Sequence, residues 1–362
     1  MPLRRVLLKN FRNIEAQDWE LKLGLNVLEG ENAQGKTNFL EALYYLANGK
    51  SFRIPDTSSL IRFGEGQAEL SAEVLQSDLT KQLLVKLRPE LREFYLQGKP
   101  LSRLAPVQEC LRVLVFTPDS SALFRGAAGI RRRYFDHAIA VHRPAYGPLL
   151  SRYQRILRQR NQLLESGGPA ELEAGFELQW QESAWALMQE RAAYLQELRD
   201  PWRRNWRALC GEDWPLEMAW EGPLYHNGPP SLENLRAALE KVRAEERRRG
   251  RSLLGPHRDD LTAKLSGHPL REAASQGQQR MLVIALKLAE AELFQARSGM
   301  GPVFLLDDLG SELDARHQRR LLEILGEIQA QTVLTTTQRK AYAALSARTF
   351  QVKEGRLDHF EG

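Results

Sequence analysis

Cysteine is almost missing from this chain. Among 362 residues only Cys110 and Cys210 occur, far apart and without a C-x-x-C pair, which argues against both a disulfide framework and a zinc site. Long apolar runs are missing too. The opening MPLRRVLLKNFRN carries basic residues but no signal-peptide core, and no stretch approaches the roughly 18 apolar residues of a membrane span. A cytoplasmic protein without membrane contact is therefore expected. There is no internal repeat and no low-complexity segment. What is present is ordinary globular composition, 43% hydrophobic, long enough for two or three domains. A net charge of +5 and a pI near 9.2 make a polyanion a plausible partner. The clusters Arg131-Arg132-Arg133, Arg247-Arg248-Arg249 with Arg251, and Arg152, Arg155, Arg158 and Arg160 are either solvated faces or contacts for such a partner.

Residues 30–37 read GENAQGKT. Gly30, Gly35, Lys36 and Thr37 have the spacing a loop needs to wrap nucleotide phosphates with its backbone N–H groups. Context supports the motif. Leu25-Asn26-Val27-Leu28 upstream suits a buried strand, and Phe39, Leu40, Leu43, Tyr44 and Leu46 downstream recur at helical spacing.

Along the chain the texture changes twice. Residues 1–125 alternate like strands at Leu3 to Leu8, Ala68 to Leu75, Leu83 to Leu87, Phe94 to Leu96 and Val113 to Phe116. Turns such as Gln97 to Pro100 predict a smaller antiparallel sheet beside the nucleotide-binding core. Residues 126–250 turn helical and rich in Arg, Glu, Leu and Trp, broken at Ser166 to Pro169 and at Asn227 to Pro230. There Trp180, Ala184, Leu187, Tyr194 and Leu198 share a stripe interrupted by Arg191, which predicts a packed helix pair rather than a long rod. Residues 251–362 return to strand and helix alternation, with strands at Leu261 to Leu265, Val303 to Leu306 and Thr332 to Thr336, and should complete the core sheet.

The apolar strand Val303 to Leu306 delivers Asp307 and Asp308 at its C-terminal end, where ligands collect in α/β sheets. In phosphate-loop proteins the loop hydroxyl, here Thr37, shares magnesium with the strand carboxylate, here Asp307, leaving Asp308 to face the attacking water. An Asp pair by itself also serves to cap a turn. Ser275-Gln276-Gly277-Gln278-Gln279-Arg280 precedes an apolar helix and joins a hydroxyl, a glycine and a helix start, which suits an anion. A plain helix cap is the alternative there, as it is for Asp314 in Ser311-Glu312-Leu313-Asp314. His257, Asp259 and Asp260 follow the turn Gly255-Pro256 and fit a loop entering a strand better than a metal site.

These strings, in this order and split by a helical insertion, resemble the ABC-type heads of DNA-repair ATPases. Asn10-Phe11-Arg12-Asn13, Gly30 to Leu40, Leu254 to Asp260 and Ala274 to Arg280 are similar to the blocks of the RecF family. The resemblance spans both ends, and 126–250 only through Arg131 to Arg133 and general length. It implies an α/β fold: an ABC-type phosphate-loop ATPase head with an antiparallel β subdomain and a helical insertion lobe. It also implies ATP and Mg2+, with Lys36 and Asp308 catalytic, Thr37 and Asp307 on the metal, and Arg12, Asn32 and Asn38 joining Gly30, Gly35, Lys36 and Thr37 on the nucleotide. Ser275, Gln276, Gly277 and Gln278 of one copy would meet the nucleotide of a second, giving an ATP-dependent homodimer. The implied partners are double-stranded, gapped and junction DNA, RecR, RecO and the recombinase RecA.

Two departures from the wider ABC pattern stand out. Asp308 replaces a glutamate and is one methylene shorter, which predicts slow hydrolysis, and Thr335-Thr336-Thr337 stands where transporters place a switch histidine, leaving the γ-phosphate sensor open. Rival readings are a transporter ATPase subunit, a small-molecule kinase and a long-armed chromosome protein. The missing histidine, the second phosphate-reading helix start and the short insertion count against these in turn.

Overall fold

The computed structural model describes residues 3–54, 56, 58–76, 79–117, 122–167, 170–225, 231–299, 301–328, 330–337, 342 and 347–359. Of the breaks expected at 166–169 and 227–230, residues 168–169 and 227–230 lie outside them, while Ser166 ends a helix that Gly167 caps in the left-handed conformation, φ 66°. The chain forms two compact units, one drawn from 1–120, 208–211 and 287–362, the other from 121–207 and 212–286.

In the first unit the strands Val113–Phe116, Val303–Leu306, Gln331–Thr336, Leu25–Glu29 and Arg348–Lys353 run parallel, and Arg356–His359 closes one edge antiparallel. The strand VFLL, next to the edge strand Val113–Phe116, is buried at every position, as a strand covered on both faces must be. Both halves of the chain thus contribute to one sheet. A second sheet is wholly antiparallel, in the order Ile14–Glu20, Leu3–Phe11, Ala68–Gln76, Leu79–Arg88, Leu91–Leu96, Lys99–Leu101. Among the described residues it has six strands, as many as the core sheet, so it is not the smaller companion expected. Val6, Leu8 and Phe11 point into the core, and an irregularity between Leu3 and Arg5 brings Leu3 to the same side despite the odd spacing.

The helix Lys36–Asn48 starts directly after Gly35 and buries Phe39, Leu40, Leu43 and Leu46 completely. Trp19 ties the layers together. Its ring meets Phe39 of the helix and Phe350 of the core sheet edge-on, each at 5.8 Å between centroids. Gly49 ends the helix in the left-handed conformation, its N–H donating to Tyr45 O.

The second unit holds the helices Ala128–His142, Tyr146–Ser166 and Leu232–Arg249 with most of the 41-residue helix Ala170–Cys210, about 60 Å long at 1.5 Å per residue. The stripe Trp180, Ala184, Leu187, Tyr194 and Leu198 is buried, and so is Arg191 within it. The segment expected to be helical throughout also contains the strand Leu216–Glu221, which pairs antiparallel with Asp260–Leu265. Its alternation, with Leu216 and Trp220 buried and Glu217 exposed, was hidden by a composition matching the neighbouring helices. Among the described residues no helix is long and apolar enough to cross a membrane.

Candidate phosphate-binding site

The loop between strand Leu25–Glu29 and helix Lys36–Asn48 holds its shape through two backbone peculiarities. Gly35, with φ of 102°, enters the helix from a conformation that side chains rarely adopt, and a Cβ there would fall 2.6 Å from the Asn13 amide. Gly30 is constrained differently: a Cβ would lie 2.5 Å from Val352 O of the neighbouring strand. Both loop glycines are therefore required by geometry.

Lys36 is buried and curls back over the loop, donating from Nζ to Gly30 O at 2.6 Å and Glu31 O at 2.7 Å. Burial pulls its pKa below the ordinary lysine value, while Asp308 and Asp307 hold it up. Thr37, one residue on, donates from Oγ1 to Asp307 Oδ1 at 3.0 Å. A hydroxyl and a carboxylate brought together across 270 residues form a hard-oxygen donor set of the kind magnesium takes. Burial raises the Asp307 pKa, opposed by the hydroxyls of Thr335 and Thr37.

Thr335 makes a connection that spacing could not reveal. Its hydroxyl donates to the same Asp307 Oδ1 at 2.8 Å and accepts the Asp308 N–H at 2.9 Å. That single side chain, fully buried on strand Gln331–Thr336, anchors both residues of the acidic pair. Asp308 is held in the left-handed conformation, φ 48° and ψ 51°, which asparagine and aspartate tolerate best.

Around the loop runs a polar network. Arg12 donates from Nε and Nη2 to Glu41, both at 2.9 Å, and from Nη1 to Ser59 O at 2.8 Å. Glu41, fully buried in the helix, also accepts from Ser51 Oγ at 2.5 Å. Asn38 accepts from Arg53 at 3.0 Å and donates to Asn13 at 2.8 Å, whose own amide reaches Gln34 O at 3.3 Å. Asn32 is exposed on the loop. Glu41 and Arg53 were not singled out in the sequence, although an acid four residues after Thr37 on an apolar helix is a visible signal. Arg12 is thus clamped to Glu41 of the helix that follows the loop.

Ser275 and Gln278 lie in the second unit and cap their own helix. Ser275 Oγ accepts the Gln278 N–H at 3.3 Å, and Gln278 Oε1 accepts the Ser275 N–H at 2.8 Å, a reciprocal capping box. Ser275, Gln276 and Gly277 are exposed at this helix start, and a Cβ at Gly277 would meet nothing closer than Ser275 Oγ at 4.0 Å. Asp314 is likewise an N-cap, its Oδ1 accepting the His317 N–H at 2.9 Å.

Comparison with known proteins settles kinship. The family model of the RecF/RecN/SMC N-terminal domain matches residues 2–357. A DNA replication and repair protein RecF from Geotalea daltonii is 33% identical over 367 residues, covering 99% of this chain and 100% of the relative. The chain belongs to the RecF family. A second RecF, from Geobacter metallireducens, is 36% identical over 340 residues, 93% of each chain. Among solved structures, the recombination mediator protein RecF with ATPrS in the RecFOR pathway superposes with a TM-score of 0.88 at 27% identity, covering 99% of this chain and 98% of the other. The Smc head bound to the C-winged helix domain of ScpA shares the fold alone, with a TM-score of 0.57 and 14% identity. RecF kinship and this likeness give the chain the fold of an ABC-type ATPase head.

Proposed function

We propose that this chain is an ATP-driven DNA-repair switch: it binds ATP with Mg2+, pairs with a second copy around the nucleotide, engages gapped or junction DNA and promotes recombinase loading. The observation that carries the reading is the Thr37, Asp307 and Thr335 cluster beside the glycine-shaped loop, a site already organised for a metal–triphosphate. RecF relatives solved with ATP and ATPrS support the choice of nucleotide.

In this reading the loop N–H groups and Lys36 bind the phosphates, Lys36 exchanging its two carbonyl partners for phosphate oxygens. Thr37 and Asp307 would hold the magnesium, which would supply neutralisation of phosphate charge. Asp308 orients the attacking water. Arg12 supports the site through Glu41, and Asn32 and Asn38 border the nucleotide. Ser275 to Gln278 of the partner copy complete the site, so the dimer gains contacts only while the γ-phosphate is present, and hydrolysis releases them. Slow, DNA-stimulated turnover makes ATP a timer. RecR, RecO and RecA are the proposed partners in the cytoplasm, in keeping with the RecFOR pathway of the solved relative.

Sedimentation with ATP, with ADP and with gapped DNA tests this reading. A dimer with ATP alone and DNA binding that weakens as salt rises are expected; a monomer under all conditions overturns it.

A further inference from the structure

The sequence carries three arginine clusters, and their surroundings differ. Arg131 is bound to Asp260 through two 2.7 Å contacts and to Gly126 O at 2.6 Å, while Arg132 donates to Asp259 O at 2.6 Å. Arg248 and Arg249 both pair with Glu245 of their own helix. Arg160 is buried against Glu246 at 2.6 Å and Ser252 at 2.5 Å. These side chains are already engaged by acceptors of the second unit.

The helix Tyr146–Ser166 is different. Residues 137–164 contain no Asp or Glu. At 100° per residue, Arg152, Arg155 and Arg158 fall with Ser151, Gln159 and Gln162 inside an arc of about 120°. Each of these six is exposed, whereas Tyr146, Tyr153, Ile156 and Leu164 bury the opposite side. None of the three arginines has an ion pair or hydrogen bond among the described residues.

We infer that this face is where the chain grips duplex DNA, through the phosphate backbone; the inference rests on the DNA-binding reading above and assigns its surface. Arg152 to Arg158 spans about 9 Å along the axis, comparable to the distance between phosphates two or three apart on one strand. Guanidinium groups without a local counter-ion gain counterion-release free energy from a polyanion, and glutamine and serine add neutral phosphate donors. The one aromatic residue in this stretch, Tyr153, is buried, so no stacking platform for single-stranded bases is presented. No large apolar side chain is exposed on the face, which disfavours insertion into a lipid surface.

The test compares the full-length protein with an R152Q/R155Q/R158Q variant and an R152K/R155K/R158K variant, with ATP, on a duplex with a single-stranded gap. The glutamine variant should bind about tenfold or more weaker near 0.1 M salt, and its plot of log affinity against log salt should flatten by about one per arginine removed. The lysine variant should keep the slope, and both should still dimerise with ATP and melt as the parent does. Parental affinity and slope in the glutamine variant overturn the assignment. Loss of binding to phosphatidylserine vesicles with DNA binding intact overturns it too, in favour of a membrane contact. Failure of the parent protein to bind DNA instead overturns the functional reading.

Discussion

At the residue scale, the site turns on how two short side chains share one carboxylate oxygen. Thr37 and Thr335 both donate to Asp307 Oδ1, and Thr335 additionally receives the Asp308 N–H. Thr335→Val keeps the shape but removes both hydrogen bonds, at a cost of about 1–3 kcal/mol. Its expected effect is at least tenfold slower ATP turnover with nucleotide affinity nearly unchanged, and Thr335→Ser should restore most of the rate. Single-turnover hydrolysis alongside equilibrium nucleotide binding separates the two; equal rates in the valine variant would make Thr335 a packing residue. Lys36→Ala acts earlier, and fluorescent-nucleotide titration should show triphosphate binding abolished or reduced at least a hundredfold. This difference between Lys36 and Thr335 reflects legibility. The loop string carries its meaning in local spacing, whereas Thr335 gains its role from parallel pairing between Gln331–Thr336 and Val303–Leu306, which one strand's residues do not announce.

At the scale of elements, a polar cluster joins helix Ala170–Cys210 to the turn that leads from helix Leu232–Arg249 into strand Asp260–Leu265. Arg191, buried within the apolar stripe, binds Asp136 at 2.8 Å and Pro256 O at 2.8 Å. Asp259 is fully buried, and among the described residues its Oδ1 has no partner while Oδ2 receives Tyr225 at 3.3 Å and a distant Arg191 at 3.9 Å. Burial accordingly pushes its pKa up to about 7, while burial pulls His257, bonded to Tyr153 at 2.6 Å, down to about 4. The two oppose each other. Asp259 makes the folded state hold a proton that the unfolded state releases, so its contribution to stability falls as pH rises from about 4 to 7. His257 is neutral in the fold and charged when unfolded, so its contribution rises from about pH 4 to 6.5. Together they flatten the profile. Asp259→Asn should leave stability rising with pH across that window, and His257→Gln should leave it falling; urea midpoints at several pH values check the signs, and parallel profiles would refute the balance. Regular elements at the centre of the fold could be read because burial on both faces writes a continuous apolar run, as in Val303–Leu306. Leu216–Glu221 escaped because an edge strand buries only alternate side chains and its Glu and Trp imitate the helices around it.

At the scale of the whole molecule, the proposed composite site makes a demand that one chain cannot meet alone. Ser275 is exposed at a self-capped helix start, available to a second copy. Ser275→Arg places a long cation where a compact phosphate-facing hydroxyl is needed, so it should spare nucleotide binding and block dimerisation with ATP. Mixing sharpens the test. In a pair made from a Lys36→Ala chain and a Ser275→Arg chain, one shared site carries both lesions and the other carries neither. Expected turnover in a saturated one-to-one mixture is therefore measurable, at up to about half the parent's rate per mixed dimer if the two sites act independently, although each variant alone is nearly inactive. If instead each chain completed its own site, mixing could restore nothing, because every active centre would still contain one lesion. Titrating one variant into the other and reading phosphate release decides between them: a maximum near equal amounts supports nucleotide shared between copies, and a flat baseline removes the basis for the ATP clamp.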